Sequence, residues 1–150
     1  MKVQFLVMTA LLLGVNCGAE AGDQIEDSAH DSAQGKSKQL FLSEVKMPVD
    51  KDNIHVVKLG SDQHSSDFLV FVRKNVPPHK HVTHSESVYV IEGTGIFELN
   101  GKKINIGPGH YVKIPQGVVH SVTVTSDIPL KALSVQAPEF FGKDRVPVKN

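Results

Sequence analysis

Across 150 residues the sequence has no tryptophan and a single cysteine, Cys17. One thiol cannot close an intrachain disulfide, so stability has to come from ordinary packing. Net charge is missing too, because 16 Lys plus Arg balance 16 Asp plus Glu. With no basic surplus, and no basic run interleaved with aromatics, the chain has no field for gathering nucleic acid or an anionic membrane. No nucleic-acid partner is expected. Long hydrophobic runs are also lacking. The apolar stretch from Val3 to Val15 is shorter than the about 20 residues a transmembrane helix needs, so no membrane span is expected. Nor does any segment sustain a 3.6-residue apolar period, which excludes a long amphipathic helix.

That short apolar stretch has the form of a secretion signal. Lys2 precedes it, and Ala19-Glu20-Ala21 supplies a small-x-small cleavage pattern. We expect residues 1–21 to be a signal peptide cut after Ala21, and the mature protein to be secreted or periplasmic. Cys17 would leave with it. In a rival reading, Leu13-Gly14-Val15-Asn16-Cys17 loosely resembles a lipobox, and a lipidated Cys17 would make a lipoprotein without altering the fold. Residues 22–39, GDQIEDSAHDSAQGKSKQ, hold Ile25 as their one large apolar side chain and read as a disordered polar leader. One domain, 40–150, remains.

What that domain does have is short runs rich in Val, Ile and Phe, punctuated by Gly, Pro, Asn and Asp. LFLSEV, IHVVKL, FLVFV, SVYVI, GIFEL, KINI, YVKI, VVHSVTV and LKALSV give nine candidate strands at a spacing typical of a sandwich or closed barrel. Asn100-Gly101 is a two-residue hairpin signal. Pro77, Pro78, Pro108, Pro115 and Pro129 fall between runs, where they would break no ladder hydrogen bond. The fold class expected is all-β and antiparallel.

Ligating chemistry is concentrated in PPHKHVTHSESVYVIEGTG, residues 77–95. His79 and His81 are two apart, so on an extended strand both imidazoles share a face. Glu86 follows closely enough for a bend to aim its carboxylate at the same point. His120 lies on a separate run, and only a closed sheet would bring it opposite the first two.

His79-Lys80-His81, four residues, Glu86, six residues, Gly93 resembles the first motif of the cupin superfamily, H-x-H-x4-E-x6-G. Gly109, five residues, Pro115, Gln116, Gly117, two residues, His120 resembles its second, G-x5-P-x-G-x2-H. The resemblance covers residues 68–125. Two departures, Arg73 where the family often has Gly and Val124 where it often has Asn, remove no ligand. The resemblance implies a single-domain cupin, a double-stranded β-helix or jelly-roll barrel. It also implies that His79, His81, Glu86 and His120 hold one divalent transition metal inside. Such a mixed nitrogen and oxygen set suits Fe, Mn, Ni, Cu or Zn alike. Small cupins commonly dimerise, so a homodimer is expected. The activities implied are metal-dependent dioxygenase, lyase or isomerase chemistry on a small oxygenated molecule, with a non-catalytic small-ligand or metal-binding module as the alternative. Catalytic residues stay unassigned.

Around this site, His84 is expected at the solvent-facing rim. Its alternative roles are replacing Glu86 as a ligand or acting as an acid or base behind the ligands. Phe71, Val88, Val90, Val122 and Val124 are expected inward on one strand parity, filling the barrel. Arg73 is the one basic residue placed to clamp a carboxylate. Glu92 and Glu98 default to a solvated face. Phe140 and Phe141 are expected against the barrel exterior or a partner subunit.

Overall fold

The structure, a computed structural model, describes residues 39–149. The expected signal peptide and all of the leader but its last residue lie outside the described residues. Ten strands follow one another: β1 (Ile54–Ser61), β2 (Ser66–Val72), β3 (Asn75–His81), β4 (Ser85–Glu92), β5 (Gly95–Leu99), β6 (Lys102–Ile106), β7 (Tyr111–Ile114), β8 (His120–Val124), β9 (Leu130–Ala137) and β10 (Arg145–Pro147). They form two antiparallel sheets of five strands, in the orders β1-β2-β9-β4-β7 and β10-β3-β8-β5-β6. No helix among the described residues is long and apolar enough to cross a membrane.

Turn chemistry sets the register. Asn100 and Gly101 both have positive φ, +49° and +78°, the type I′ geometry, and so Leu99 pairs with Lys102 across the β5–β6 hairpin. Gly93 has φ +75°, and a Cβ there would meet the Pro129 carbonyl oxygen at 2.8 Å and Leu130 Cα at 2.9 Å. Only glycine lets the chain after β4 pass that closely.

Val72, Val90, Phe97, Ile106, Val112, Ile114, Val122 and Leu130 form the main core between the sheets. FLVFV has no polar alternation because β2 is buried on both sides. Phe68, Val70 and Val72 line an internal cavity, while Leu69 and Phe71 face the opposite way and are buried too. There the Lys131 ammonium sits 5.5 Å over the Phe71 ring and donates to Ser43 O (3.1 Å) and Glu92 Oε1 (2.9 Å). Glu92 is thus the partner of a buried cation while its own side chain stays 39% exposed, and Phe71 does not face the cavity.

Two expectations about strands are corrected, and one strand is added. LFLSEV contains a turn, with Glu44 N donating to Phe41 O at 2.9 Å, and its Ser43 carbonyl reaches Lys131. Pro77 and Pro78 lie inside β3, where the pairing to β8 shifts register between Val76 and His79. A bulge tolerates proline because no ladder N–H is needed there. Finally, β10 folds the tail back beside β3, pairing Arg145 with His81.

Candidate metal centre

The register that places His79 opposite His120 on β3 and β8 builds the centre. Extended backbone puts the His81 side chain on the same face as His79, and β4 brings in Glu86 from the other sheet. The ring centroids of His79 and His120 are 4.1 Å apart, and those of His81 lie 5.4 Å and 5.6 Å from them. All three imidazoles are buried, and each can offer a ligand atom within 4.8 Å of the other two. The turn from Pro115 to Val118 supports this meeting. Val118 N donates to Pro115 O at 3.2 Å, and Gly117 N donates to the His81 carbonyl at 2.7 Å, so the loop presenting His120 is anchored to the strand carrying His81.

Backbone carbonyls fix the tautomers. His79 Nδ1 donates to Pro77 O at 2.9 Å and His120 Nδ1 to Val118 O at 3.1 Å. A carbonyl only accepts, so each Nδ1 carries a proton, and in the neutral ring Nε2 keeps its lone pair. His81 Nδ1 has no hydrogen bond, and its nearest acidic neighbour is Asp144 Oδ2 at 3.5 Å. On the inner side, Glu86 Oε2 lies 3.3 Å from Nε2 of both His81 and His120. Its other oxygen, Oε1, accepts from Ser134 Oγ at 2.5 Å.

These groups are electrostatically prepared for a cation. Burial, and then the neighbouring His120, push the His79 pKa down to about 4, so His79 is neutral at pH 7. For Glu86, burial works to raise the pKa, but the adjacent His120 and His81 rings and the Ser134 hydroxyl donating to Oε1 outweigh it. The carboxyl is held well below the usual carboxylate range. In the neutral ring, the His120 Nε2 lone pair and Glu86 Oε2 3.3 Å away repel unless a positive charge, a proton or a metal ion, sits between them. The donor set therefore fits a metal ion.

His84 is not at a solvent-facing rim. It is buried, its Nδ1 2.6 Å from Asp144 Oδ2 and its Nε2 2.8 Å from the Glu139 carbonyl. Burial lowers its pKa, but those two partners outweigh burial and raise it. Asp144 also accepts from Thr83 N (2.7 Å), Thr83 Oγ1 (2.8 Å), Val82 N (3.0 Å) and His84 N (3.2 Å). Burial would raise the Asp144 pKa, yet hydrogen bonds from His84 and Thr83 bring it down to about 2. The His84–Asp144 pair thus clasps the tail to the turn between β3 and β4.

The imidazoles open onto a cavity of about 550 Å³. Val88 and Val122 line it as expected, whereas Val90 and Val124 pack in or against the core. Arg73 clamps nothing there, since its Nε donates to Lys51 O at 2.9 Å. Arg145 lines the cavity instead. Phe140 is also a wall residue, meeting His81 and His84 edge-on at 5.9 Å and 5.4 Å, while Phe141 is exposed. Sequence reasoning missed Ser134, Gln136, Asp144 and Arg145. The inward parity of LKALSVQA could have found the first two, but nothing in the tail announces that it returns to the site.

A family model described as a cupin domain matches residues 70–136. An uncharacterized protein of Aquifex aeolicus is 35% identical over 98 residues, covering 65% of this chain and 80% of its own. The quercetin 2,3-dioxygenase of Bacillus subtilis is 25% identical over 95 residues, covering 60% of this chain and 28% of its own. Among solved structures, a protein with a double-stranded β-helix domain from Klebsiella pneumoniae superposes with a TM-score of 0.65 at 17% identity, over 77% of this chain and 100% of its own.

Proposed function

This chain belongs to the cupin superfamily, and on that premise we propose that it is an exported metal-dependent enzyme acting on a small oxygenated molecule, of the dioxygenase, lyase or isomerase class. One observation carries the reading. Three buried imidazoles, two with Nδ1 tied to a backbone carbonyl, converge beside an ionised carboxylate at the end of a cavity large enough for a small molecule.

In this reading His79, His81 and His120 supply nitrogen ligands and Glu86 Oε2 an oxygen ligand to one divalent Fe, Mn, Ni, Cu or Zn ion. The bound ion would supply Lewis-acid chemistry toward substrate oxygens or O₂. The protein's own contribution is orientation and exclusion of water. The Pro77 and Val118 carbonyls hold two imidazoles, Ser134 holds Glu86, and the valine walls keep the site dry. Export rests on the signal-like N-terminus. Assembly as a homodimer is part of the same proposal, supported by the outer strands β1, β6, β7 and β10, which each leave one side unpaired within their sheet.

The test is to purify the mature protein, determine its metal by elemental analysis, and follow O₂ uptake and product formation across a panel of carboxylates and phenols. About one metal per chain together with turnover is expected. Full loading with no turnover would make the protein the non-catalytic binding module instead, and absence of any metal after reconstitution would overturn the reading.

A further inference from the structure

The cavity is polar at one end and hydrocarbon along the rest, and the strand registers fix this gradient. Inward residues of β9 run Gln136, Ser134, Ala132, Leu130, against Ser66, Phe68, Val70 and Val72 of β2. Glu86 of β4 pairs with Gln136, so the carboxylate lies at the Gln136 end. On β8, His120 faces His79, and Val122 faces Val76 and Phe97, one step further along. Past the imidazoles the wall is valine, leucine and phenylalanine.

Two groups at the polar end have unspent binding capacity. Gln136 is 9% exposed and its Oε1 has no hydrogen-bond partner. A half-turn of the carboxamide presents either its oxygen or its NH₂ to the cavity. A buried amide oxygen left unpaired carries a desolvation penalty, which a bound molecule can offset. Arg145, paired with His81 in the backbone register, lines the same end as the one cationic side chain among the lining residues, and it makes no ion pair among the described residues.

We propose, resting on the metal reading above, that the ligand is an amphipathic organic monoanion. A mainly hydrocarbon body carries one anionic oxygen group, carboxylate or phenolate. The head lies between the histidines and Arg145, within hydrogen-bonding reach of Gln136, and the body extends toward Val122, Phe97 and Leu130. A small dianion or a polyhydroxylated sugar acid would leave its further polar groups unpaired against valine and leucine, which disfavours both. Positive charge is confined to the end where Arg145 and the metal site meet, and no Lys or other Arg lines the hydrocarbon end to match a second anionic group there.

The experiment uses 2-naphthoate, neutral 2-naphthalenemethanol, oxalate and galacturonate as probes. Each is titrated calorimetrically into mature protein, metal-loaded or chelator-treated, with metal content measured separately. Naphthoate is expected to bind about tenfold or more tighter than the other three. Arg145→Met should weaken naphthoate about tenfold and leave naphthalenemethanol unchanged, because only the charge-assisted contact is lost. Gln136→Leu should weaken naphthoate severalfold. Arg145 is exposed, so its replacement leaves the core intact and keeps the test interpretable. Equal or tighter binding of oxalate or galacturonate, or naphthoate binding indifferent to Arg145→Met, overturns the proposal. Full metal loading without a naphthoate preference sinks this inference alone. Arg145-dependent naphthoate binding by protein that takes up no metal sinks the metal reading alone.

Discussion

Replacing Asp144 with alanine should unfasten the tail from the site. The wild-type carboxylate accepts from three backbone N–H groups, one hydroxyl and the His84 imidazole, all between β3 and β4. Removing it strands those donors, including a buried imidazole whose charged form it stabilises. Buried donors left unsatisfied cost about 1–3 kcal/mol apiece, and part of the turn can relax toward water, so a total of about 3–5 kcal/mol is expected. Urea unfolding followed by circular dichroism, with constant slope, measures this directly. The loss should also depend on pH. Asp144 titrates near pH 2 in the native state, below its unfolded value of about 3.9, so its contribution is whole above that value and is lost as pH falls toward 2. His84 is raised above its unfolded value of about 6.5, so its contribution is whole below pH 6.5 and is lost as pH rises through the native pKa. The wild-type minus variant difference should therefore be widest from about pH 4 to 6.5. A difference under about 1 kcal/mol, or one flat from pH 3 to 9, would refute the clasp.

His79→Ala, His81→Ala and His120→Ala should each abolish retention of metal through dialysis, while His84→Ala, which points away to Asp144 and Glu139, should retain it; elemental analysis reads both. Gly93→Ala forces a Cβ onto the Pro129 carbonyl at positive φ and should cost about 2 kcal/mol or more in urea unfolding, against almost nothing for a surface control. In chelator, wild-type melting temperature should fall as pH drops from about 6.5 toward 4, because the unfolded chain takes up a proton that buried His79 resists. His79→Gln should flatten that part of the profile.

Much of the barrel was legible because period-two alternation and turn residues are local signals. Asn100-Gly101 dictated its hairpin, and eight of the nine apolar runs correspond to strands. Failures came where longer-range contacts overrode the local pattern. LFLSEV turns between Phe41 and Glu44, leaves Leu40 and Phe41 exposed and gives its Ser43 carbonyl to Lys131, and Pro77-Pro78 sits in a strand because a bulge excuses it. His84 reads as a polar loop residue until Asp144, 60 positions later, buries it.

By itself the sequence determined eight of the ten strands, the antiparallel class and the four candidate ligand residues, since local patterning and spacing on an extended backbone decide which side chains share a face. Folding alone decided how those ligand residues are oriented and what surrounds them. Backbone carbonyls at Pro77 and Val118 choose the imidazole tautomers, and a tail with no motif contributes Phe140, Asp144 and Arg145. Those contacts join residues far apart in the chain, and pairing across such distances depends on how the sheets close rather than on any local pattern.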